Sequence, residues 1–167
     1  MTVQEVKDEI RKYHCNFLTI TGGEPILQQD ELINLIQNIR GGYGPFHVEI
    51  ETNGTIAPKP ELVGLVNEFI VSPKFEDFKY NSAWSNTDKV AFKFVVDKEE
   101  DFAVIERFIQ KYAQNGQDIF LMPQAITVDE HNKRLPMLIE FVKKHRLRVM
   151  RISPRLQILA YGNKRGV

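Results

Sequence analysis

Small residues mixed with ligand-binding side chains recur at five places along the chain. The segments are Thr21-Gly22-Gly23-Glu24-Pro25, Glu51-Thr52-Asn53-Gly54-Thr55, Ser72-Pro73-Lys74, Pro123-Gln124 and Ser153-Pro154-Arg155. Each follows a short apolar run typical of a buried β-strand. Sites in parallel α/β proteins form at the carboxyl ends of the strands, where the loops meet. The recurrence therefore predicts one composite site built from several loops.

The first of these segments has the chemistry to bind a cationic group. Gly22 and Gly23 leave backbone groups uncovered, and Glu24 offers a carboxylate. Carbonyls and a carboxylate together can accept the three protons of an amino-acid ammonium. The alternative is a plain strand-to-helix turn in which the glycines supply unusual backbone angles. Likewise, Asn53-Gly54 can be an ordinary turn and Ser72-Pro73-Lys74 a solvated loop.

Three other residue types have less specific interpretations. Lys93 lies in an apolar strand, so it either faces a polar partner or points to water from an edge strand. Cys15 has no second cysteine nearby, which favours burial as a small apolar residue over a reactive role. The histidines lack metal-ligand spacing and look mostly exposed, so no metal site is predicted from them.

Helical and strand patterns alternate along the chain, which predicts a parallel sheet of right-handed βαβ units. A helix with Thr2 as its cap comes first, although a strand normally opens such folds, so a preceding element is expected to be missing. One connection, 74–89, shows no clear period, and long irregular connections tend to be functional or mobile. The predicted strands are Phe17–Thr21, His47–Glu51, Phe69–Val71, Val90–Val96, Ile119–Met122 and Arg148–Ile152. The predicted helices are Val3–Tyr13, Asp30–Ile39 (stopped by Gly41-Gly42), Pro60–Asn67, Glu99–Gln114 and Asp129–His145.

Composition indicates one soluble globular domain over residues 1–167. Lys plus Arg and Asp plus Glu both number 22, giving zero formal charge, so a nucleic-acid partner is not expected. A single cysteine excludes an internal disulfide and fits a reducing compartment. No apolar run approaches the roughly 18 residues of a membrane helix. The charged N-terminus does not look like a signal peptide. The sequence therefore predicts a cytoplasmic protein with no membrane partner.

The same segments also carry a family resemblance. Thr21-Gly22-Gly23-Glu24-Pro25 resembles the "GGE" motif of radical S-adenosylmethionine enzymes. With the Glu51–Thr55, Ser72–Lys74 and Lys93–Val96 segments and the C-terminal 153–167 segment, it resembles the 7-carboxy-7-deazaguanine synthases along essentially the whole chain. The fold implied is α/β, an incomplete parallel (β/α) barrel of the radical S-adenosylmethionine type.

The resemblance implies a reaction, cofactors and residue roles. The reaction is the ring contraction of 6-carboxy-tetrahydropterin to 7-carboxy-7-deazaguanine, on the route to queuosine and, in archaea, archaeosine. The cofactors are S-adenosylmethionine, a [4Fe-4S] cluster and Mg²⁺. The implied S-adenosylmethionine contacts are Gly22, Gly23, Glu24, Ser72, Lys74 and Gln124. The implied substrate contacts are Thr21, Ser153, Arg155 and Gln157, the last where the family more often has histidine, and further site candidates are Glu51, Asn53 and Lys93.

The chain departs from the family pattern at its front. The family begins with a strand and a CxxxCxxC loop whose thiolates bind the cluster, and that region also supplies a magnesium ligand. Here Cys15 cannot replace three spaced cysteines. The first strand and the cluster loop are therefore expected to be missing. The chain alone is expected to bind no cluster and to be inactive, and no catalytic or metal-binding residue is assigned.

Three functions remain open at this point. The first is a truncated or split synthase whose missing segment lies elsewhere. The second is a cluster-free subunit that binds S-adenosylmethionine or a pterin, or assembles with a partner. An open edge at Phe17–Thr21 would then favour a homodimer or pairing with a missing N-terminal segment. The third is a different radical enzyme, such as an activating enzyme for another protein.

Overall fold

A computed structural model describes residues 2–43, 46–74, 79–113, 116–145 and 150–164. Six strands form one sheet in chain order. The strands are β1 (Phe17–Ile20), β2 (His47–Thr52), β3 (Glu68–Val71), β4 (Val90–Val96), β5 (Ile119–Pro123) and β6 (Met150–Ile152). The pairings of β1 with β2, β2 with β3, β4 with β5 and β5 with β6 are all parallel. The predicted α/β class with a parallel sheet is confirmed.

Helices connect the strands, as parallel pairing requires. They are α1 (Val3–Ile10), α2 (Gln29–Tyr43), α3 (Pro60–Leu65), α4 (Glu100–Tyr112), α5 (Val128–His145) and α6 (Leu156–Tyr161), with 3₁₀ helices at Pro25–Gln28 and Ser82–Asn86. The predicted Thr2 cap of α1 is present: its hydroxyl accepts from the Glu5 N–H, and the Glu5 carboxylate accepts from the Thr2 N–H.

The described chain divides into two compact units, each with its own apolar core. Unit 1 comprises 1–71 and 79–90, and unit 2 comprises 72–78 and 91–167. In unit 1, Trp84 is fully buried, meets Phe69 edge-on and donates from its indole N–H to the Ile56 carbonyl. In unit 2, Phe108 of α4 packs edge-on against Phe92 and Phe94 of β4. The prediction of a single domain over 1–167 stays a prediction.

Several predictions about single elements were wrong. The Gly41-Gly42 pair does not end its helix, because α2 continues to Tyr43. The first strand is not buried: β1 is the terminal strand of the sheet, and the Phe17 side chain is 49% exposed. Cys15, predicted to be buried, is exposed just before β1.

The structure distinguishes between the two interpretations of Lys93. The edge-strand alternative does not hold, because β4 lies between β3 and β5 in the sheet order. Its side chain is half-buried and has an interaction partner. The histidines were expected to be mostly exposed, yet His131 is fully buried, and its Nε2 accepts a hydrogen bond from the Arg155 backbone N–H. The irregular connection contains a 3₁₀ helix anchored by Trp84, while its residues 75–78 lie outside the described part of the chain, as do 146–149 at the predicted start of the last strand.

Candidate functional site

The end of β1 forms an exposed turn whose glycines leave the backbone open. Thr21, Gly22 and Gly23 are all exposed, and Gly22 has φ 117°, in the region that favours glycine. A Cβ on either glycine would meet nothing within 4 Å. The turn therefore presents bare backbone groups to the surroundings, as the sequence predicted, and space beside it for a ligand.

Glu24, which follows this turn, is held by three hydrogen bonds from within unit 1. Its Oε1 accepts from the Thr52 hydroxyl at 2.6 Å and from the Ile26 N–H at 3.1 Å. Its Oε2 accepts from the Asn53 N–H at 2.8 Å. The carboxylate thus caps the 3₁₀ helix Pro25–Gln28 and ties the end of β1 to the end of β2. An ionised carboxylate has about four acceptor positions, so about one remains for a ligand.

The loop after β2 is a tight turn. The Asn53 side-chain oxygen accepts from the Thr55 N–H at 2.9 Å. Gly54 has φ 75°, and a Cβ there would lie 2.6 Å from a Val71 methyl group. Asn53 therefore shapes its own turn while its backbone N–H holds Glu24. Glu51 in the preceding strand is half-buried and has a partner of its own.

Unit 2 contains a cavity of about 620 Å³ at the carboxyl ends of its strands. It is lined by Ser72, Pro73, Lys74, Val95, Asp97, Lys98, Asp101 and Gln124. Ser72, Lys74 and Gln124 were predicted from the sequence to share one site, although 50 residues separate Lys74 from Gln124. The volume lies within the roughly 300–1,000 Å³ typical of small-molecule sites.

In the part of the chain that the structure describes, the carboxylates that line this cavity have hydrogen-bond partners, whereas its two lysines do not. The Asp97 carboxylate pairs with Arg134, at 2.6 Å to Nη2 and 2.8 Å to Nε. Asp101 accepts from the backbone N–H groups of Asp97 and Lys98 at 2.9 and 3.1 Å. Within the described residues, Lys74 and Lys98 have no such partner. Asp97 is thus paired with a cation, whereas Asp101 keeps its negative charge and is held only by backbone donors. The ammonium groups of Lys74 and Lys98 remain able to pair with an anionic group of a ligand.

The predicted substrate residues after β6 differ in their exposure. The Ser153 N–H extends the ladder to the Leu121 carbonyl at 2.8 Å, and both Ser153 and Arg155 are half-buried. Gln157 lies exposed on α6. Arg155 donates from Nη1 to the Ala125 carbonyl at 2.8 Å, next to Gln124 of the cavity. The structure thus places Arg155 near the cavity loop, in the same unit.

Comparison with known proteins identifies the family. The chain is 33% identical over 153 residues to the 7-carboxy-7-deazaguanine synthase of Pyrobaculum aerophilum, covering 89% of this chain and 67% of that protein. The chain belongs to the 7-carboxy-7-deazaguanine synthase family. It is also 29% identical over 172 residues to the enzyme of that name from Hyperthermus butylicus, covering 94% of this chain and 70% of the relative. No family model matches.

A solved structure supports the fold of this synthase-family chain. QueE from Escherichia coli superimposes with a TM-score of 0.68 at 21% identity, covering 93% of this chain and 64% of that one. The chain therefore spans about two thirds of the length of the relatives it matches. The predicted fold of the radical S-adenosylmethionine type is confirmed.

The unit 2 cavity suits one of the implied cofactors, S-adenosylmethionine. It has the volume of a small-molecule site, and its amide, hydroxyl and ammonium groups can pair with the carboxylate and the adenine of that molecule. Within the described ranges, no group of three or more His, Cys, Asp or Glu side chains is placed to hold a metal ion. No helix among the described residues is long and apolar enough to cross a membrane.

Sequence reasoning missed three residues that line the cavity. Asp97 and Lys98 directly follow β4, and Asp101 lies in the first turn of α4. The end of β4 was not among the predicted polar strand ends, whereas Lys93 inside that strand was a predicted candidate. The rule that sites form at strand ends would have found Asp97 and Lys98 had it been applied to β4 as well.

Proposed function

We propose that this chain carries the S-adenosylmethionine-binding part of a 7-carboxy-7-deazaguanine synthase. The observation that supports it most is the unit 2 cavity. Ser72, Lys74 and Gln124, which the family resemblance assigns to S-adenosylmethionine, line that one cavity together. The proposed overall reaction is the family's conversion of 6-carboxy-tetrahydropterin to 7-carboxy-7-deazaguanine.

In this proposal each group has a role that its chemistry allows. The Lys74 ammonium pairs with the ligand carboxylate, and the Gln124 amide can both donate to and accept from the adenine edge. In unit 1, the bare backbone of Gly22 and Gly23 and the remaining acceptor position of Glu24 have the chemistry to accept hydrogen bonds from an ammonium group. S-adenosylmethionine supplies the radical that starts the family's chemistry. Thr21, Ser153, Arg155 and Gln157 would contact the pterin, with Glu51, Asn53 and Lys93 as further candidates.

Binding can be tested without any radical chemistry. S-adenosylhomocysteine, a stable analogue, is titrated into the chain by calorimetry. Lys74→Met and Gln124→Ala are each expected to weaken binding by about tenfold, or about 1.4 kcal/mol. Lys133→Met, an exposed lysine of α5 outside the cavity, is the matched control and should bind like wild type. Equal affinities for all four proteins would overturn the proposed site.

Activity requires a second experiment, because the chain has one cysteine. A segment that carries CxxxCxxC is fused ahead of Met1 or supplied separately, and the protein is reconstituted with iron and sulfide without oxygen. We expect cluster absorbance and turnover of 6-carboxy-tetrahydropterin only with the segment. If iron absorbance does not appear after the addition, the proposed synthase reaction is wrong.

A second candidate is a cluster-free binding or assembly subunit, favoured by the exposure of β1. This strand ends the sheet, and such edges pair readily with another chain. A binding or assembly subunit is expected to form a homodimer or a complex with a partner, which analytical ultracentrifugation would detect. A monomer at all concentrations would argue against it.

A further inference from the structure

The fully buried His131 near the start of α5 has no role in the proposed function so far. Its Nε2 accepts a hydrogen bond from the Arg155 backbone N–H at 3.3 Å. Because Nε2 acts as the acceptor, the proton of the neutral ring sits on Nδ1, which lies 3.4 Å from the Asn132 side-chain oxygen. The histidine thus joins α5 to the loop that follows β6.

Arg155 continues this connection towards the cavity. Its Nη1 donates to the carbonyl of Ala125 at 2.8 Å, and Ala125 itself is buried. Its Nε is buried with no hydrogen-bond partner. A buried donor without a partner is unfavourable. The position of the guanidinium must therefore be stabilised by other contacts, such as the hydrogen bond from Nη1 to Ala125.

Ala125 directly follows Gln124, whose side chain lines the cavity. The Gln124 N–H bonds to the Val96 carbonyl on one side of the loop. On the other side, the Ile126 N–H bonds to the Glu130 carboxylate at 2.8 Å. Between these two anchors, the Ala125 carbonyl is held by Arg155.

We propose that His131 is a positioning residue for the cofactor cavity. By fixing the Arg155 backbone it places the guanidinium on the Ala125 carbonyl, and so sets the position of Gln124. The ends of β5 and β6 are thereby coupled within unit 2. This inference rests on the proposed S-adenosylmethionine site. It assigns the effect of His131 to its hydrogen bond with Arg155, not to the volume of its side chain.

The test compares two replacements that differ in hydrogen bonding. His131→Gln retains an oxygen that can accept from the Arg155 N–H, whereas His131→Leu fills similar space without an acceptor. S-adenosylhomocysteine binding is expected to weaken about tenfold in His131→Leu and to recover to within about threefold of wild type in His131→Gln. Equal losses in both variants, or no loss in His131→Leu, would overturn the proposal.

A double-mutant cycle asks whether His131 acts through Arg155. Arg155→Met removes the guanidinium contact with Ala125 and should weaken analogue binding by itself. Adding His131→Leu to Arg155→Met should then cost less than about threefold more, because both changes remove one shared contact. Losses that multiply fully would contradict the inference. If His131→Leu does not fold, His131→Ala, which also lacks an acceptor for the Arg155 N–H, takes its place in both comparisons with the same expected results.

Hydrogen exchange separates failure of this inference from failure of the proposed function. In the absence of any ligand, the Arg155 amide and segment 124–127 should exchange at least about tenfold faster in His131→Leu than in His131→Gln. The C-terminal half of α5 serves as an internal control. If wild type does not bind the analogue but this exchange difference appears, only the cofactor assignment is wrong. If binding is normal and exchange is unchanged, the role of His131 is wrong.

Discussion

The Glu24 carboxylate shows how one residue can serve the fold and a ligand together. The sequence predicted a free carboxylate for a cationic group, but three donors of unit 1 already bind it. Its first task is therefore to tie the turn after β1 to the end of β2. The exposed backbone of Gly22 and Gly23 is then the larger source of acceptors for an ammonium.

Replacing this carboxylate should lower stability even without ligand. Glu24→Gln puts an amide N–H₂ against a donor and removes the charge, so we expect a loss of about 1–3 kcal/mol in the free energy of unfolding. Urea denaturation measures it. Glu31→Gln, an exposed carboxylate of α2, is the control and should change stability by less than about 1 kcal/mol. A Glu24→Gln protein as stable as wild type would show that the three bonds matter little.

Gly54 is a second residue whose identity is dictated by its surroundings. It has φ 75°, and an added Cβ would lie 2.6 Å from Val71 and 3.3 Å from Tyr80. Left-handed backbone costs a non-glycine residue about 1–2 kcal/mol, and overpacking adds about 1–3 kcal/mol. Gly54→Ala should therefore destabilise by about 2–5 kcal/mol in denaturant unfolding.

Gly64 provides the matched comparison for this substitution. It lies in α3, and a Cβ there would meet nothing within 4 Å. Gly64→Ala should be neutral or stabilise by up to about 1 kcal/mol, because alanine favours the helix. Similar changes in the free energy of unfolding at both positions would mean that the nearness of Val71 to Gly54 does not determine which residue the turn accepts.

At the scale of elements, periodicity located the helices and strands but not their ends or exposure. The β4 strand was predicted with its observed bounds because six of its seven residues are apolar and Lys93 is the one exception. The end of α2 was missed because glycine stops a helix only when its backbone turns left-handed, and Gly41 does not. Exposure of β1 depends on its sheet neighbours, which a local pattern does not contain.

The candidate site, too, could be predicted from the sequence only in part. Loops at strand ends could be predicted because parallel strands place their carboxyl ends on one edge. The bonds of Glu24 to Thr52 and Asn53 and the bond of His131 to Arg155 could not be predicted, because each joins residues at least 24 positions apart in the sequence.

The two proline-containing helices allow a test of element stability. Pro136 lies inside α5, where it lacks the N–H for the preceding turn, whereas Pro60 begins α3. Pro136→Ala should stabilise by about 1–2 kcal/mol, since proline costs about 3 kcal/mol in a helix but also restricts the unfolded chain. Pro60→Ala should be neutral or slightly destabilising. Thermal unfolding compares the two, and the reverse order would contradict the reasoning.

The first helix should respond to acid. The backbone N–H of Thr2, followed by its hydroxyl, lowers the pKa of the exposed Glu5 carboxyl below its usual value. A lowered pKa means that the stabilisation is present at neutral pH and is lost as pH falls through the folded-state value. NMR should therefore show the helical shifts of α1 fading at acid pH in wild type. Glu5→Gln should lack this pH dependence, and fading shifts in that variant would rule out the Glu5 carboxylate as the cause.

At the scale of the whole molecule, charge decides which partners can approach. The 22 basic and 22 acidic residues balance, so no long-range field draws a polyanion to the chain. Lys74 and Lys98 line the cavity of unit 2, where Asp97 is already paired with Arg134. A small ligand that carries a carboxylate group is therefore favoured over a nucleic acid.

This balance gives a prediction about the intact chain that needs no substitution. Labelled RNA and duplex DNA should show no binding by fluorescence anisotropy at about 150 mM salt, because phosphate neutralisation by clustered Lys and Arg supplies most non-specific affinity. S-adenosylhomocysteine at 100 times its dissociation constant should, under the same conditions, stabilise the folded chain by about 2.7 kcal/mol. For a chain of 167 residues that is a rise in Tm of about 5–11 °C. Tight nucleic-acid binding that weakens steeply with salt, with no thermal shift from the analogue, would instead make the chain a nucleic-acid-binding protein.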